Sequence, residues 1–131
     1  MIDRGDIGRV VWLNVSDPQG GNPKRRPCLI LDIDSNGTVV ACVATTSRFD
    51  AAALRDDEIP RPSGTPDNPS RLGLDRPTVA KCSWLVIIPS EAAVPQGINL
   101  SQPERNEITR RVRQLQNAGR CTIIRLQIPD A

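Results

Sequence analysis

Arginines, hydroxyls and one lysine are the chemically useful residues of this chain. Arg25 and Arg26 stand together before Pro27 and an apolar run, Cys28-Leu29-Ile30-Leu31. A guanidinium fork suits two-point contact with a phosphate, and it stabilises negative charge that builds up on phosphorus during phosphodiester cleavage. Thr45, Thr46 and Ser47 close another apolar run, Val39-Val40-Ala41-Cys42-Val43-Ala44. Hydroxyls at a strand end donate to phosphoryl oxygens or hold an attacking group in place. Lys81, Cys82 and Ser83 lie inside the long run from Val79 to Ile88. A lysine there emerges at an edge or turns into a site, because an unpaired buried ammonium is costly. Each group also has a plainer use. An Arg-Pro step fixes an extended strand entry, Thr favours strands, and Lys can snorkel to solvent.

Composition removes several chemistries. The chain has no histidine, so neither a Ser-His-Asp nor a Cys-His nucleophile can be built, and the usual neutral-pH proton carrier is missing. Cys28, Cys42, Cys82 and Cys121 form no Cys-x-x-Cys pair, which argues against zinc and leaves mostly buried, reduced thiols as the expectation. There is no phosphate-binding glycine loop and no dinucleotide fingerprint, so no cofactor and no metal are expected. Trp12, Phe49 and Trp84 are the whole aromatic set, too few for a general base-stacking platform. With 17 basic and 15 acidic residues the net charge is only +2, so a nucleic-acid role depends on a local basic strip. No signal segment or membrane-length apolar run is visible, and a soluble cytoplasmic protein is expected.

The elements that must position these groups read mainly as strands. Val- and Ile-rich stretches predict strands near 9–15, 27–33, 38–45, 78–88 and 121–128, with a hairpin turn at Asp34-Ser35-Asn36-Gly37. The run from Val79 to Ile88 is apolar on both parities, which predicts a central strand ended by Pro89. Ser101-Gln102-Pro103-Glu104 is a capping-box pattern, Ile108, Val112 and Leu115 recur at helical spacing, and Gly119 suits a left-handed cap. Arg105, Arg110, Arg111 and Arg113 would line the helix's polar faces. Residues 48–77 form a long Pro-rich loop, with a turn of helix expected near Ala51-Ala52-Ala53-Leu54 and a strand piece at Glu58-Ile59. Asp75 and Arg76 are close enough for a local ion pair. At 131 residues the chain reads as one domain, 1–131, able to bury a core without staples.

Three blocks carry a family resemblance. Arg4-Gly5-Asp6 with Val10-Val11-Trp12-Leu13, then Lys24-Arg25-Arg26-Pro27-Cys28-Leu29-Ile30-Leu31, then Val43-Ala44-Thr45-Thr46-Ser47 resemble the MazF/PemK family of toxin ribonucleases. The resemblance implies a small SH3-like β-barrel of the MazF/PemK (CcdB-like) type with a C-terminal helix. It implies the toxin half of a type II toxin–antitoxin system, a sequence-selective endoribonuclease that cuts single-stranded RNA (mRNA) without metal. Attack by the RNA's own 2′-hydroxyl would leave a cyclic phosphate and a 5′-hydroxyl. By matching, Arg26 takes the catalytic arginine's place and Thr45 the hydroxyl's, with Thr46 adjacent to it. Arg25, Ser47, Lys81 and Ser83 are further catalytic or RNA-binding candidates. Gln19, Asn22 and Lys24 lie in a loop that would help select the RNA. A homodimer and a cognate antitoxin are implied as partners.

The chain departs from the family at two places. Lys81 stands where some members have Arg, and Ser83 where some have Asp. The group that takes the 2′-hydroxyl proton is not identified by the residue pattern. Two other readings share the fold: a toxin that inhibits a protein target of the gyrase type, and a non-catalytic RNA- or protein-binding module.

Overall fold

The computed structural model describes residues 2–17, 19–21, 23–45, 53–60, 79–92, 94–96 and 100–126. Strands β1 (Val10–Val15), β2 (Lys24–Ile33), β3 (Thr38–Thr45), β4 (Glu58–Pro60) and β5 (Val79–Pro89) are followed by helix α1 (Gln102–Asn117) and strand β6 (Thr122–Arg125). The strands form a single sheet in the order β1-β2-β3-β5-β4, and β6 also pairs with β5. All ladders are antiparallel except β5–β6, which is parallel. That parallel pair follows from α1, which carries the chain back across the sheet before β6. Among the described residues the sheet does not close.

β5 organises this arrangement. β3 runs along one of its sides, while β4 and β6 share the other, at Val79–Lys81 and Trp84–Ile87 respectively. Both of its faces are covered, Trp84, Val86 and Ile88 by one core and Ala80, Cys82 and Leu85 by the other, which explains why its sequence is apolar on both parities.

Each face of the sheet buries its own core. Val11, Leu13, Val15, Cys28, Ile30, Val43, Trp84 and Val86 form one cluster. Strands β1 and β5 are separated by two others in the sheet order, yet their side chains share this cluster, so the sheet curls strongly around it. On the opposite face, Val10, Leu29, Cys42, Cys82 and Leu85 pack against Ile108, Val112 and Leu115 of α1. This is the stripe that the helical spacing predicts. The hairpin between β2 and β3 forms as expected: Gly37 takes φ 78°, and the Asp34 carboxylate accepts from the amides of Asn36 and Thr38, both at 2.9 Å. At the start of α1, Ser101 Oγ accepts from Glu104 N and donates to Glu104 Oε1. The Glu104 carboxylate thus reaches the capping side chain. Gly119, with φ 69°, closes the helix.

The expected turn of helix at 51–54 does not appear where it can be judged. Ala53 and Leu54 are exposed and non-helical, and Ala51 and Ala52 lie outside the described residues. The chain instead enters a tight turn, in which Glu58 N donates to Arg55 O and the Glu58 carboxylate accepts from Arg55 N. β2 begins at Lys24, three residues before its expected start at position 27, because Lys24–Arg26 are already paired with β1. No helix among the described residues is long and apolar enough to cross a membrane.

The four thiols are free. Burial pushes Cys28 from 9.0 up to about 12. Cys42 is raised too, first by a hydrogen bond shared with Cys82 and then by burial. Unfolded thiols lose their protons near the ordinary value, so above it the folded chain holds more protons than the unfolded one. The stability tied to Cys28 is therefore complete below about pH 9 and drains away as pH rises towards about 12. Urea midpoints followed from neutral pH into this range are expected to fall, and to fall less steeply for Cys28→Ala.

Candidate active site

The pairing pattern gathers the predicted site residues at one end of the sheet. Leu13 lies opposite Arg26, Cys28 opposite Val43, and Thr45 opposite Val79. Continued two residues past Cys28–Val43, the β2–β3 ladder sets the backbones of Arg26 and Thr45 across from each other. The start of β2, the end of β3, the start of β5 and all of β4 therefore meet.

A large irregularity in β5 lies at this end. Between the pairs Cys42–Leu85 and Ala44–Ala80, β3 contributes Val43 alone, whereas β5 contributes Lys81–Trp84. Extra residues in one strand bend it and re-aim its side chains. Ala80 and Cys82 belong to the helix-side core and Trp84 to the other core, so the strand changes phase within these few residues. Lys81, between Ala80 and Cys82, projects to the face opposite α1.

Arg26 also projects to that face, in phase with Cys28 and Ile30. It is only 2% exposed. Its Nε donates to Val15 O at 3.1 Å and its Nη2 to Asp17 Oδ1 at 2.9 Å. The guanidinium carbon stands 4.7 Å from the centre of the Trp84 ring, within cation–π range. Beneath it, the Trp84 indole N–H is buried without a hydrogen-bond partner among the described residues. A buried unsatisfied donor costs about 1–3 kcal/mol, so this corner of the core is held at some expense. Arg25 is exposed and out of phase with Arg26, on the helix side of the sheet.

A second polar cluster forms around β4 and β5. Lys81 Nζ sits 3.1 Å from Glu58 Oε2 and 3.3 Å from Asp57 Oδ2. Ser83 Oγ donates to the same Asp57 oxygen at 2.5 Å. Lys81 thus satisfies its charge with two carboxylates that are themselves largely buried, at 8% exposure for Asp57 and 5% for Glu58. The turn carrying them is fixed from outside. Cys82 N donates to Asp57 O at 2.8 Å, Arg120 grips both Asp56 oxygens, and Arg111 donates to Asp56 O. The Arg120 pair holds the Asp56 carboxyl below its ordinary value.

The structure thus brings Arg26, the Thr45 backbone, Lys81 and Ser83 to one end of the sheet, and leaves Arg25 on the other face. Gln19 and Lys24 are exposed beside the β1–β2 loop. Asn22, Thr46, Ser47, Asp75, Arg76 and the Thr45 side chain lie outside the described residues. Sequence reasoning missed Asp17, Asp57 and Trp84. Asp17 reads as a loop aspartate before proline, and Asp57 precedes its strand in a segment without periodicity. Among the described residues, no group of three or more His, Cys, Asp or Glu is arranged to hold a metal ion.

Residues 6–116 match the model of the PemK-like, MazF-like toxin of type II toxin–antitoxin systems. The chain belongs to this family. No curated protein matches it. Among solved structures, it is similar to the Mycobacterium tuberculosis toxin MazF-mt6, with a TM-score of 0.56 and 19% identity over 83% of this chain and 97% of that one. It is also similar to a chain of the MazE–MazF structure from Deinococcus radiodurans, with a TM-score of 0.58 and 21% identity over 88% and 98%. These likenesses concern the fold. They agree with a mainly antiparallel sheet carrying one C-terminal helix, as the PemK/MazF resemblance implies.

In this PemK/MazF-like chain the Asp17–Arg26 pair joins a buried guanidinium to a largely buried carboxylate. Asp17→Ala would leave a guanidinium buried without its carboxylate, a loss of roughly 3–5 kcal/mol for a buried pair. Urea unfolding of Asp17→Ala is expected to show that loss. A change below about 1 kcal/mol, the range of exposed pairs, would mean that the pair is exposed to solvent.

Proposed function

We propose that this toxin is a metal-independent, sequence-selective endoribonuclease that cuts single-stranded RNA, with Arg26 as its phosphate-binding catalytic group and Thr45 as the hydroxyl beside it. The observation that carries the reading is the setting of Arg26. Val15 O and the Trp84 ring fix the guanidinium, and the Asp17 carboxylate occupies a fork position that matches a phosphate oxygen in charge and geometry. A scissile phosphate binds there by displacing Asp17. The fixed guanidinium then stabilises the charge that grows on phosphorus as the 2′-hydroxyl attacks. The bond to the 5′-oxygen breaks, leaving a cyclic phosphate and a 5′-hydroxyl.

The remaining candidates have supporting roles. Lys81 adds positive charge near the leaving side, and Ser83 orients its neighbours. Gln19 and Asn22, between β1 and β2 in sequence, and Lys24, at the start of β2, meet the flanking bases and contribute to the choice of cleavage site. Thr46 and Ser47 complete the RNA contacts, and Arg25, on the helix side of the sheet, is reached only by RNA that passes round the sheet's end. Two copies of the chain form the working toxin. A cognate antitoxin blocks it with an acidic segment that competes for the same arginines. The MazE–MazF complex of the Deinococcus relative supports such a partner. Function in the cytoplasm, where mRNA is found, follows from this reading.

Purified protein incubated with long unstructured RNAs in EDTA tests it. Discrete cuts bearing cyclic-phosphate and 5′-hydroxyl ends are expected. Arg26→Lys, which keeps the charge but loses the fork, should slow them by roughly a hundredfold or more. Intact RNA after incubation with folded, antitoxin-free protein would reject the ribonuclease and point to a protein target.

A further inference from the structure

We propose that Asp57 is the proton acceptor for the attacking 2′-hydroxyl, with Lys81 returning a proton to the leaving 5′-oxygen. This assignment rests on the ribonuclease reading above. A chain without histidine has few groups able to take a proton near neutral pH, and carboxylates are the natural ones. Among the described residues, three stand on the Arg26 face of this end of the sheet. Asp17 is spent on Arg26. Glu58 uses Oε1 on Arg55 N and Oε2 on Lys81. Asp57 receives both Ser83 and Lys81 on Oδ2 alone, and among the described residues its Oδ1 has no partner. It is therefore the carboxylate with an oxygen left for a substrate.

Its placement agrees. The Asp57 carboxylate reaches back from the turn before β4 to Lys81 and Ser83 of β5; β5 lies two neighbours from β2, roughly 10 Å at ordinary strand spacing, a gap that a ribose and its phosphate can bridge from Arg26 to that carboxylate. Ser83, which holds Asp57, directly precedes Trp84, on which Arg26 stacks. Asp57 is also held rigidly, by Cys82 N at its carbonyl and by the Arg120–Asp56 grip one residue earlier. A general base must be positioned before its basicity matters.

The proton balance closes. Asp57 Oδ1 takes the 2′-hydroxyl proton as the 2′-oxygen bonds to phosphorus. The P–O5′ bond breaks with its electron pair going to the 5′-oxygen, which takes a proton from Lys81 Nζ. Asp57 then releases its proton to solvent and Lys81 takes one back, which resets the site with no net change in protons. Ser83 acts as a positioning residue that keeps Oδ2 turned away from the substrate.

The test compares wild type, Asp57→Asn, Asp57→Glu and Ser83→Ala on one cleavable RNA and on its 2′-deoxy analogue, which binds but cannot be cut. Asp57→Asn is expected to lower the cleavage rate roughly a hundredfold or more, with affinity for the 2′-deoxy analogue unchanged. Asp57→Glu should recover part of the rate, and Ser83→Ala should lower the rate severalfold at unchanged affinity. Unchanged affinity also shows that each variant is folded. Should Asp57→Asn fail to bind, Ser83→Ala, which leaves the carboxylate in place, decides: an unchanged rate overturns the assignment. Wild type that cuts, with Asp57→Asn cutting equally well, overturns this assignment and leaves the ribonuclease reading standing. Wild type that cuts nothing overturns both.

Discussion

A buried guanidinium is the constraint around which this structure is arranged. Arginine is rarely taken almost wholly out of water, and here Arg26 is kept there by three different contacts. A carbonyl from the end of β1 takes Nε, a carboxylate from the following loop takes Nη2, and an indole from β5 lies under the plane. Removing any one leaves a charge in low dielectric with incomplete compensation. Val15 and Asp17 come from one end of β1 and its loop and Trp84 from far along the chain, so the guanidinium also fixes how the end of β1 meets β5. A group held this firmly does not need to reorganise when charge develops beside it, and that is what electrostatic catalysis requires.

The break in phase within β5 makes this setting possible. A regular strand would place Cys82 and Trp84 on one face. Instead, the extra residues opposite Val43 send Cys82 to the helix-side core and Trp84 to the other. The same distortion lets Lys81 and Ser83 reach the carboxylates delivered by the turn before β4. The end of the sheet thus carries two kinds of group side by side. One is a buried guanidinium paired with a carboxylate, and the other is a lysine held between two carboxylates. The helix-side core, whose Cys82 N–H holds the Asp57 carbonyl, serves as its rigid backing.

Much of the scaffold was legible in the residues because it follows from local patterns. Ile108, Val112 and Leu115 have helical spacing, Asp34–Gly37 has turn chemistry, and the doubly apolar Val79–Ile88 run could only be a covered strand. The family blocks led to Arg26. The environment of Arg26 was not legible. Nothing in Ser16-Asp17-Pro18 announces that its carboxylate folds back onto an arginine nine residues later, and arginine's usual exposure argues against its burial. The placement of Asp57 was hidden for a similar reason. Ser83 looked like a missing acid, but the structure brings an acid to Ser83 from another strand's entry turn. The parallel pairing of β6 was also invisible, since it depends on where α1 returns the chain. Contacts set by tertiary geometry leave no period in the sequence.

The most direct measurement is a crystal structure of the protein with a 2′-deoxy RNA analogue that cannot be cut. The account predicts a backbone phosphate within hydrogen-bond distance of the Arg26 guanidinium, Asp17 moved off Nη2, and the neighbouring ribose facing Asp57. An Asp17–Arg26 pair left intact, with the nucleic acid bound on another face, would contradict it.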